Sequence, residues 1–338
     1  MQINIKKKNI LRITIFASIL LFLISAAMTI FYFTPKTTLS ELILAITDYD
    51  PEGLANYVLV HIKLPRIIGA LIVGALIAVG GAVMQGITKN YLASPGVVGV
   101  DSGAGLGLSI TMAITGGATA YVSNIIFSMI GAAVTTIIIF AISSRIKGRE
   151  SGLKLLLAGT AIGMLFDGLS TSINIWSGLG QNINTWNNSG LLGIKWLGVG
   201  ILMIGVVGMI IGFAISGKIT VLAMGDETAV SLGENVKVIK FLGVISVVLI
   251  SAATVCTVGN IAFIGLVIPN MVKMAVGEDY KKIIPLSALF GALLLSVADV
   301  ISRLINYPAE TPIGTITSII GIPIFLYLIN SRRSKGAI

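Results

Sequence analysis

Apolar stretches about as long as a bilayer is thick alternate along the whole chain with short clusters of glycine, proline, asparagine and charge. A helical crossing takes about 20 predominantly apolar residues, and Ile13 to Phe33 supply one without a single charge. Cutting the chain at its breaks predicts about ten windows, near 13–33, 67–87, 95–115, 121–143, 155–176, 191–215, 239–258, 261–276, 284–304 and 313–330. Two of them are irregular. The third carries Asp101 among closely spaced glycines from Gly96 to Gly107, and Pro269 and Asn270 interrupt the eighth. Lys6, Lys7 and Lys8 precede the first window as the basic residues of a secretory signal would, but the apolar run is too long and no cleavage site leads into a soluble domain. It reads as a retained first span.

Composition agrees with this pattern. Of 338 residues, 55% are hydrophobic and 11% charged, and the mean hydropathy is +0.99, far from the balance of soluble domains. The expected fold class is an all-α polytopic membrane protein with about ten transmembrane helices, a single transmembrane domain over 1–338. The net charge of +9 does not indicate nucleic acid, because the basic residues are spread among short loops. With an even number of spans and an internal N-terminus, of 23 basic residues only Lys36, Lys63, Arg66, Lys195 and Arg303 fall outside. That asymmetry fits the positive-inside rule and predicts cytoplasmic N- and C-termini.

Two connections are longer than turns. Thr34 to Lys63 is expected outside and carries Glu41, Asp48, Asp50 and Glu52; Ser216 to Lys240 is expected in the cytoplasm with short surface helices around Gly225 to Gly233. Glycine pairs at four-residue spacing, Gly99/Gly103, Gly103/Gly107, Gly159/Gly163 and Gly208/Gly212, allow helix backbones to approach closely and speak for packing before function.

Candidate chemistry is sparse. Gly212, Gly217 and Lys218 imitate part of a phosphate loop, but Ile219 stands where a Ser or Thr would hold magnesium and no strand precedes it. The single cysteine, Cys256, sits in an apolar stretch as a packed side chain, and His61 has no companions with which to bind a metal. No paired carboxylates and no nucleophile with its base are visible, which argues against an intramembrane enzyme. Ionisable groups inside spans are functional candidates by default. Asp299 has Arg303 one helical turn away as a neutralising partner; Asp167 has none in its own helix and is a candidate for the lining of a pathway or for an interhelical hydrogen bond. Met84, Gln85 and Asn174 join it as pathway candidates, because polar or soft side chains on apolar spans carry a cost. The polar run from Ser177 to Asn188 is either an ordinary loop or a ligand site.

Residues 63–107, KLPRIIGALIVGALIAVGGAVMQGITKNYLASPGVVGVDSGAGLG, resemble the signature region of the FecCD family of ABC-transporter permeases, which import ferric siderophores, haem and vitamin B12. Residues 259–328 repeat that family's second signature, G-x-I-x-F-x-G-L (Gly259 to Leu266), A-D-x-x-x-R (Ala298 to Arg303) and E-x-P-x-G (Glu310 to Gly314), and MGDETAVSLG at 224–233 resembles its coupling segment. The resemblance implies a type II ABC importer permease fold in the bacterial cytoplasmic membrane. It implies as partners a second permease, the same chain or a paralogue, two ATP-binding subunits that hold ATP and Mg, and an extracytoplasmic binding protein. No cofactor or catalytic residue is expected in this chain. Lys63, Arg66 and Arg303 take the place of the basic residues that hold the binding protein, or else act as snorkelling anchors. Gly225, Asp226, Glu227, Ala229, Leu232 and Gly233 take the place of the segment that docks on the ATPase.

Two turns depart from the family pattern. Asn90-Tyr91-Leu92-Ala93 stands for Asn-Pro-Leu-Ala, and Pro269-Asn270 with Lys273 stands for Pro-His followed by an arginine. The cargo expected from the resemblance is a ferric siderophore, with haem or cobalamin as the alternative. A secondary transporter coupled to an ion gradient through Asp167 and Asp299 is the rival from another class.

Overall fold

The computed structural model describes residues 19–33, 38, 40, 43, 53–96, 99–116, 121–145, 151–179, 190–307 and 309–333. Every regular element among them is a helix. In chain order they are α1 (Ile19–Phe31), α2 (Leu54–Val58), which leads through a π-helical turn (Leu59–Lys63) into α3 (Leu64–Thr88), then α4 (Val100–Ile114), α5 (Tyr121–Arg145), α6 (Ser151–Trp176), α7 (Trp196–Ala214), α8 (Ser216–Ala223), α9 (Asp226–Ser231), α10 (Val236–Val258), α11 (Ile264–Val276), α12 (Tyr280–Ile305) and α13 (Ile313–Arg333). Each predicted window overlaps one apolar helix. Among the described residues five stretches, Asn56–Thr88, Val122–Ile139, Trp196–Ala214, Val236–Val258 and Tyr280–Ile305, are long and apolar enough to cross a membrane, and Ile19–Phe31, Val100–Ile114, Ile264–Val276 and Ile313–Leu328 are shorter. The first window is seen only from Ile19. Glu41, Asp48, Asp50 and Glu52, the basic residues Lys6, Lys7, Lys8, Arg12, Lys36, Lys147, Arg149 and Lys335, and the polar run beyond Leu179 lie outside the described residues.

The second long connection and the first differ in outcome. Ser216 to Lys240 does fold as two short helices, α8 and α9, followed by the first residues of α10. The end of the first connection is not a loop, because Leu54–Lys63 is helical and runs straight into α3.

At the centre stands α3, packed against α7, α10, α11 and α12. Its glycines make that possible. A Cβ on Gly74 would fall on the backbone of Gly291 in α12, and one on Gly81 would fall on the backbone of Gly265 in α11. Small residues let backbones touch, and van der Waals packing is the main attraction between helices in lipid, where tails are as apolar as leucine. The four glycine pairs singled out in the sequence behave the same way: Gly103 and Gly107 meet α5 at Gly131 and Phe127, Gly163 meets Gly99, and Gly208 and Gly212 face Ser246. Cys256 is buried with Ile125, Ile201 and Ala253.

Pro269 does not stop its helix. α11 runs from Ile264 to Val276 with the proline inside. A proline has no N–H for the carbonyl one turn earlier, here that of Gly265, and in a bilayer that oxygen must find another donor. Gln85 supplies it: Nε2 donates to the carbonyl oxygens of Gly265 (3.4 Å) and Leu266 (3.3 Å). Asn270 Nδ2 also donates to the Leu266 oxygen, at 2.7 Å.

Candidate functional site

Three places in the bundle gather polar side chains. The first is the end at which α3 begins and α12 finishes. Arg66 donates to both oxygens of Asp299, from Nη2 (2.8 Å) and Nε (3.0 and 3.3 Å), and to both oxygens of Glu310 (2.7 and 2.8 Å). Arg303 Nη2 donates to Asp299 Oδ2 (2.7 Å) and to the hydroxyl of Thr29 in α1 (2.6 Å), and its guanidinium lies over the Phe33 ring at 3.9 Å. The pairing of Asp299 with Arg303 expected from their spacing is present, and Arg66 completes a cluster of two arginines and two carboxylates. Burial of such charges costs free energy unless partners and hydrogen bonds offset it; here Arg66 donates from all three of its nitrogens, and Arg303 from Nε and Nη2.

This arrangement alters the reading of the basic residues. Lys63, Arg66 and Arg303, read from the sequence as residues that hold a binding protein or as snorkelling anchors, are 5%, 8% and 6% exposed. Lys63 Nζ donates to the carbonyl oxygens of Ile30 (2.6 Å) and Phe33 (3.2 Å), capping the end of α1. As long side chains at helix ends they turn inward to partners supplied by α1, α12 and Glu310. Glu310, noted in the sequence only as part of a motif, is the most open member, its side chain 24% exposed. A recess of about 270 Å³ reaches the cluster past Tyr307 and Leu192.

The second place is a cavity of about 640 Å³ between α4, α6, α13 and the linker from α10 to α11. Asp101 and Ser102 line it from α4, Asp167 and Asn174 from α6, Asn260 from the linker and Thr315 from α13. Ser102 Oγ donates to Asp167 Oδ2 at 3.1 Å, the interhelical hydrogen bond the sequence left open. The Ser251 hydroxyl of α10 lies against the Asp101 carboxyl. Asp101 and Asn260 also border a smaller cavity of about 260 Å³ that runs toward Ser251 and Phe263. The linker is sharply bent, with Phe263 at φ 69°, a strained value for a residue with a side chain.

Of the four pathway candidates, Asp167 and Asn174 line this cavity and Met84 and Gln85 do not. Those two are 1% exposed and packed among helices, where Gln85 answers the backbone gap made by Pro269. Asp101, which lies in the glycine-rich third window, is covered by the same rule as Asp167 and is a site residue that the sequence reading did not single out.

The third place is the pair α8 and α9 at the opposite end of α3. Gly225, at φ 136°, makes a turn that a side chain would strain, and α9 starts at once with Asp226 and Glu227. Asp226 accepts from Lys89 Nζ (2.6 Å) and Lys240 Nζ (2.9 Å), so it ties α9 to the end of α3 and the start of α10. Partial burial pushes its carboxyl up, but the two ammonium groups outweigh that and hold it below the usual carboxylate range. Ala229 is fully buried and anchors the helix. Leu232 and the unpredicted Met224 and Val230 are exposed at 62%, 67% and 62%, an apolar edge on an otherwise polar surface.

The positions at which the sequence departs from the family pattern touch one another. Asn270 Nδ2 donates to the Tyr91 carbonyl oxygen at 2.9 Å, and Lys273 Nζ lies 4.6 Å from the Tyr91 ring centre and 5.0 Å from that of Tyr280.

A closely packed helical bundle with a polar cavity between its helices and a tethered short-helix pair at one end is an architecture suited to a transport permease, and similarity to known proteins makes that assignment. Residues 17–331 match the FecCD transport family, and the chain belongs to that family. It is 41% identical over 290 residues, 86% of this chain and 75% of the relative, to the iron(3+)-hydroxamate import system permease protein FhuB of Bacillus subtilis (strain 168). It is 33% identical over 328 residues, 96% of this chain and 97% of the relative, to the iron-uptake system permease protein FeuB of the same organism. Among solved structures, a metal-chelate type ABC transporter in an inward-facing conformation superposes with a TM-score of 0.79 at 25% identity, covering 94% of this chain and 99% of that one. The chain is the permease subunit of an ABC importer, and the ATPase resides in a separate subunit.

Proposed function

We propose that this chain forms the translocation pathway for a ferric siderophore, with a hydroxamate chelate as the first choice, and that ATP binding and hydrolysis in partner subunits switch the pathway between outward and inward access. The polar cavity shared by α4, α6 and α13 carries this reading, since it is the space into which Asp101, Asp167 and Asn174 project. The similarity to permeases named for iron-hydroxamate import and iron uptake supports the cargo.

The orientation follows from the charge asymmetry: both termini and the α8–α9 pair face the cytoplasm, and the Arg66 cluster faces outward. A second permease packs along α6, whose Met164, Leu165, Ile175 and Trp176 are exposed apolar residues beside the cavity. The binding protein docks over the recess at Glu310, where its acidic side chains compete with Glu310 for Arg66. One of the two ATPase subunits receives the apolar edge of α9, and the other receives the corresponding edge of the second permease.

The test is uptake of a 55Fe-labelled ferric trihydroxamate by proteoliposomes holding the permease with its ATPase and binding protein. Uptake is expected with ATP and absent without it. Uptake driven by a proton or sodium gradient in the absence of ATP establishes a secondary transporter instead.

A further inference from the structure

The large cavity has one sign of charge. Asp101 on α4 and Asp167 on α6 both line it, and among the described residues around it there is no lysine, arginine or histidine. Both carboxylates are held in place, Asp167 by the Ser102 hydroxyl and Asp101 against Ser251. The other polar groups are neutral. Ser170, Thr171 and Asn174 of α6 belong to the same lining.

We infer that this cavity is a charge filter, in which Asp101 and Asp167 admit neutral and cationic iron chelates and retard anionic ones. The inference rests on the reading of the chain as an importer of iron chelates and adds the charge class of the cargo. The physical reason is the surroundings. A charge entering a cleft walled by lipid-facing helices is poorly screened, and two like charges near it are worth far more there than in water. Specificity then comes from the repulsive element, without any tight contact to the preferred cargo that would slow its release.

Selection at the binding protein has to be kept constant to see this. A linear ferric trihydroxamate with a terminal amine serves, used with the amine free (cationic), acetylated (neutral) or succinylated (anionic), so that the iron centre is the same in every arm. ATP-driven uptake into proteoliposomes is measured for all three at saturating binding protein, together with the affinity of the binding protein for each. After correction for capture, the cationic and neutral forms are expected to enter at comparable rates and the anionic form about 10-fold more slowly, a modest figure for like charges in a partly buried site. The double variant Asp101→Asn with Asp167→Asn should bring the anionic form to within about 3-fold of the neutral one. Asp167→Glu, which keeps the charge, should keep the discrimination and shows whether the cavity tolerates substitution at all. Equal uptake of the three forms by the unaltered permease, or unchanged discrimination in the double variant, overturns the inference and leaves the importer reading standing. Absence of ATP-driven uptake for all three forms overturns both.

Discussion

Gln85 donates from Nε2 to the carbonyl oxygen of Gly265, the oxygen that Pro269 leaves without its helical donor. Two residues 184 positions apart in the sequence thus solve one local problem, in a solvent that offers no water to do it.

That relationship predicts a non-additive pair. Gln85→Leu leaves a buried carbonyl less satisfied and should lower permease stability by about 1 kcal/mol, in keeping with hydrogen bonds measured in helical membrane proteins. Pro269→Ala restores the helix's own donor. In the Pro269→Ala background, Gln85→Leu should therefore cost markedly less, and a double-mutant cycle on unfolding in mixed micelles measures the difference. Equal costs in the two backgrounds refute the role given to Gln85.

Asp299 is shared by Arg66 and Arg303, so its loss removes the one carboxylate that both contact. Asp299→Ala should destabilise by about 3–5 kcal/mol, the usual cost of stranding buried charge. Among the described residues Glu310 is hydrogen-bonded to Arg66, at a partly open site, and Glu310→Gln should cost less than about 1 kcal/mol. Thermal unfolding in nanodiscs separates the two variants. If the binding protein competes with Glu310, the same Glu310→Gln variant should bind it more tightly in a titration.

The tether of α9 should respond to acid in a fixed direction. The Asp226 carboxyl lies below its ordinary value of 3.8 in the folded chain. A carboxylate depressed in this way stabilises the fold above its unfolded value, and the contribution fades as pH falls through the folded value. Protection of the α9 amides in hydrogen exchange should thus be level from neutral pH down to about 4 and fall below it. Asp226→Asn should show the low-pH protection at every pH. A loss of protection centred near neutrality contradicts the assignment.

Much of the bundle was legible because bilayer thickness imposes a length on apolar segments, and the predicted windows for α5, α10 and α12 fall on their helices. Boundaries were less so. α4 begins at Val100 and not near 95, because Gly99 takes a left-handed turn at φ 83° that hydropathy does not register. Pro269 looked like a break since the sequence does not show which distant side chain will answer a freed carbonyl. At the site, Asp167 and Asn174 could be picked out by polarity in a span, and so could Asp101 by the same rule. The surroundings of Lys63, Arg66 and Arg303 were not legible for another reason. Sequence gives their distance from the helix end, but their burial depends on Asp299, Glu310 and the carbonyls of α1, which reach them from remote parts of the chain. The changed turns at Tyr91, Asn270 and Lys273 looked independent and are one contact cluster.

In the proposed function, energy from a separate ATPase enters this chain through α9, and Leu232 offers the most direct access to it. Leu232 is 62% exposed on the apolar edge beside the buried anchor Ala229, so Leu232→Asp alters the docking surface without disturbing the core. Iron delivered and ATP hydrolysed should be counted together in proteoliposomes carrying the full transporter. The account predicts that Leu232→Asp captures the loaded binding protein normally while uptake falls by about 10-fold or more, equivalent to about 1.4 kcal/mol lost from coupling. Uptake at the unaltered rate, or uptake by any variant in the absence of ATP, would contradict it.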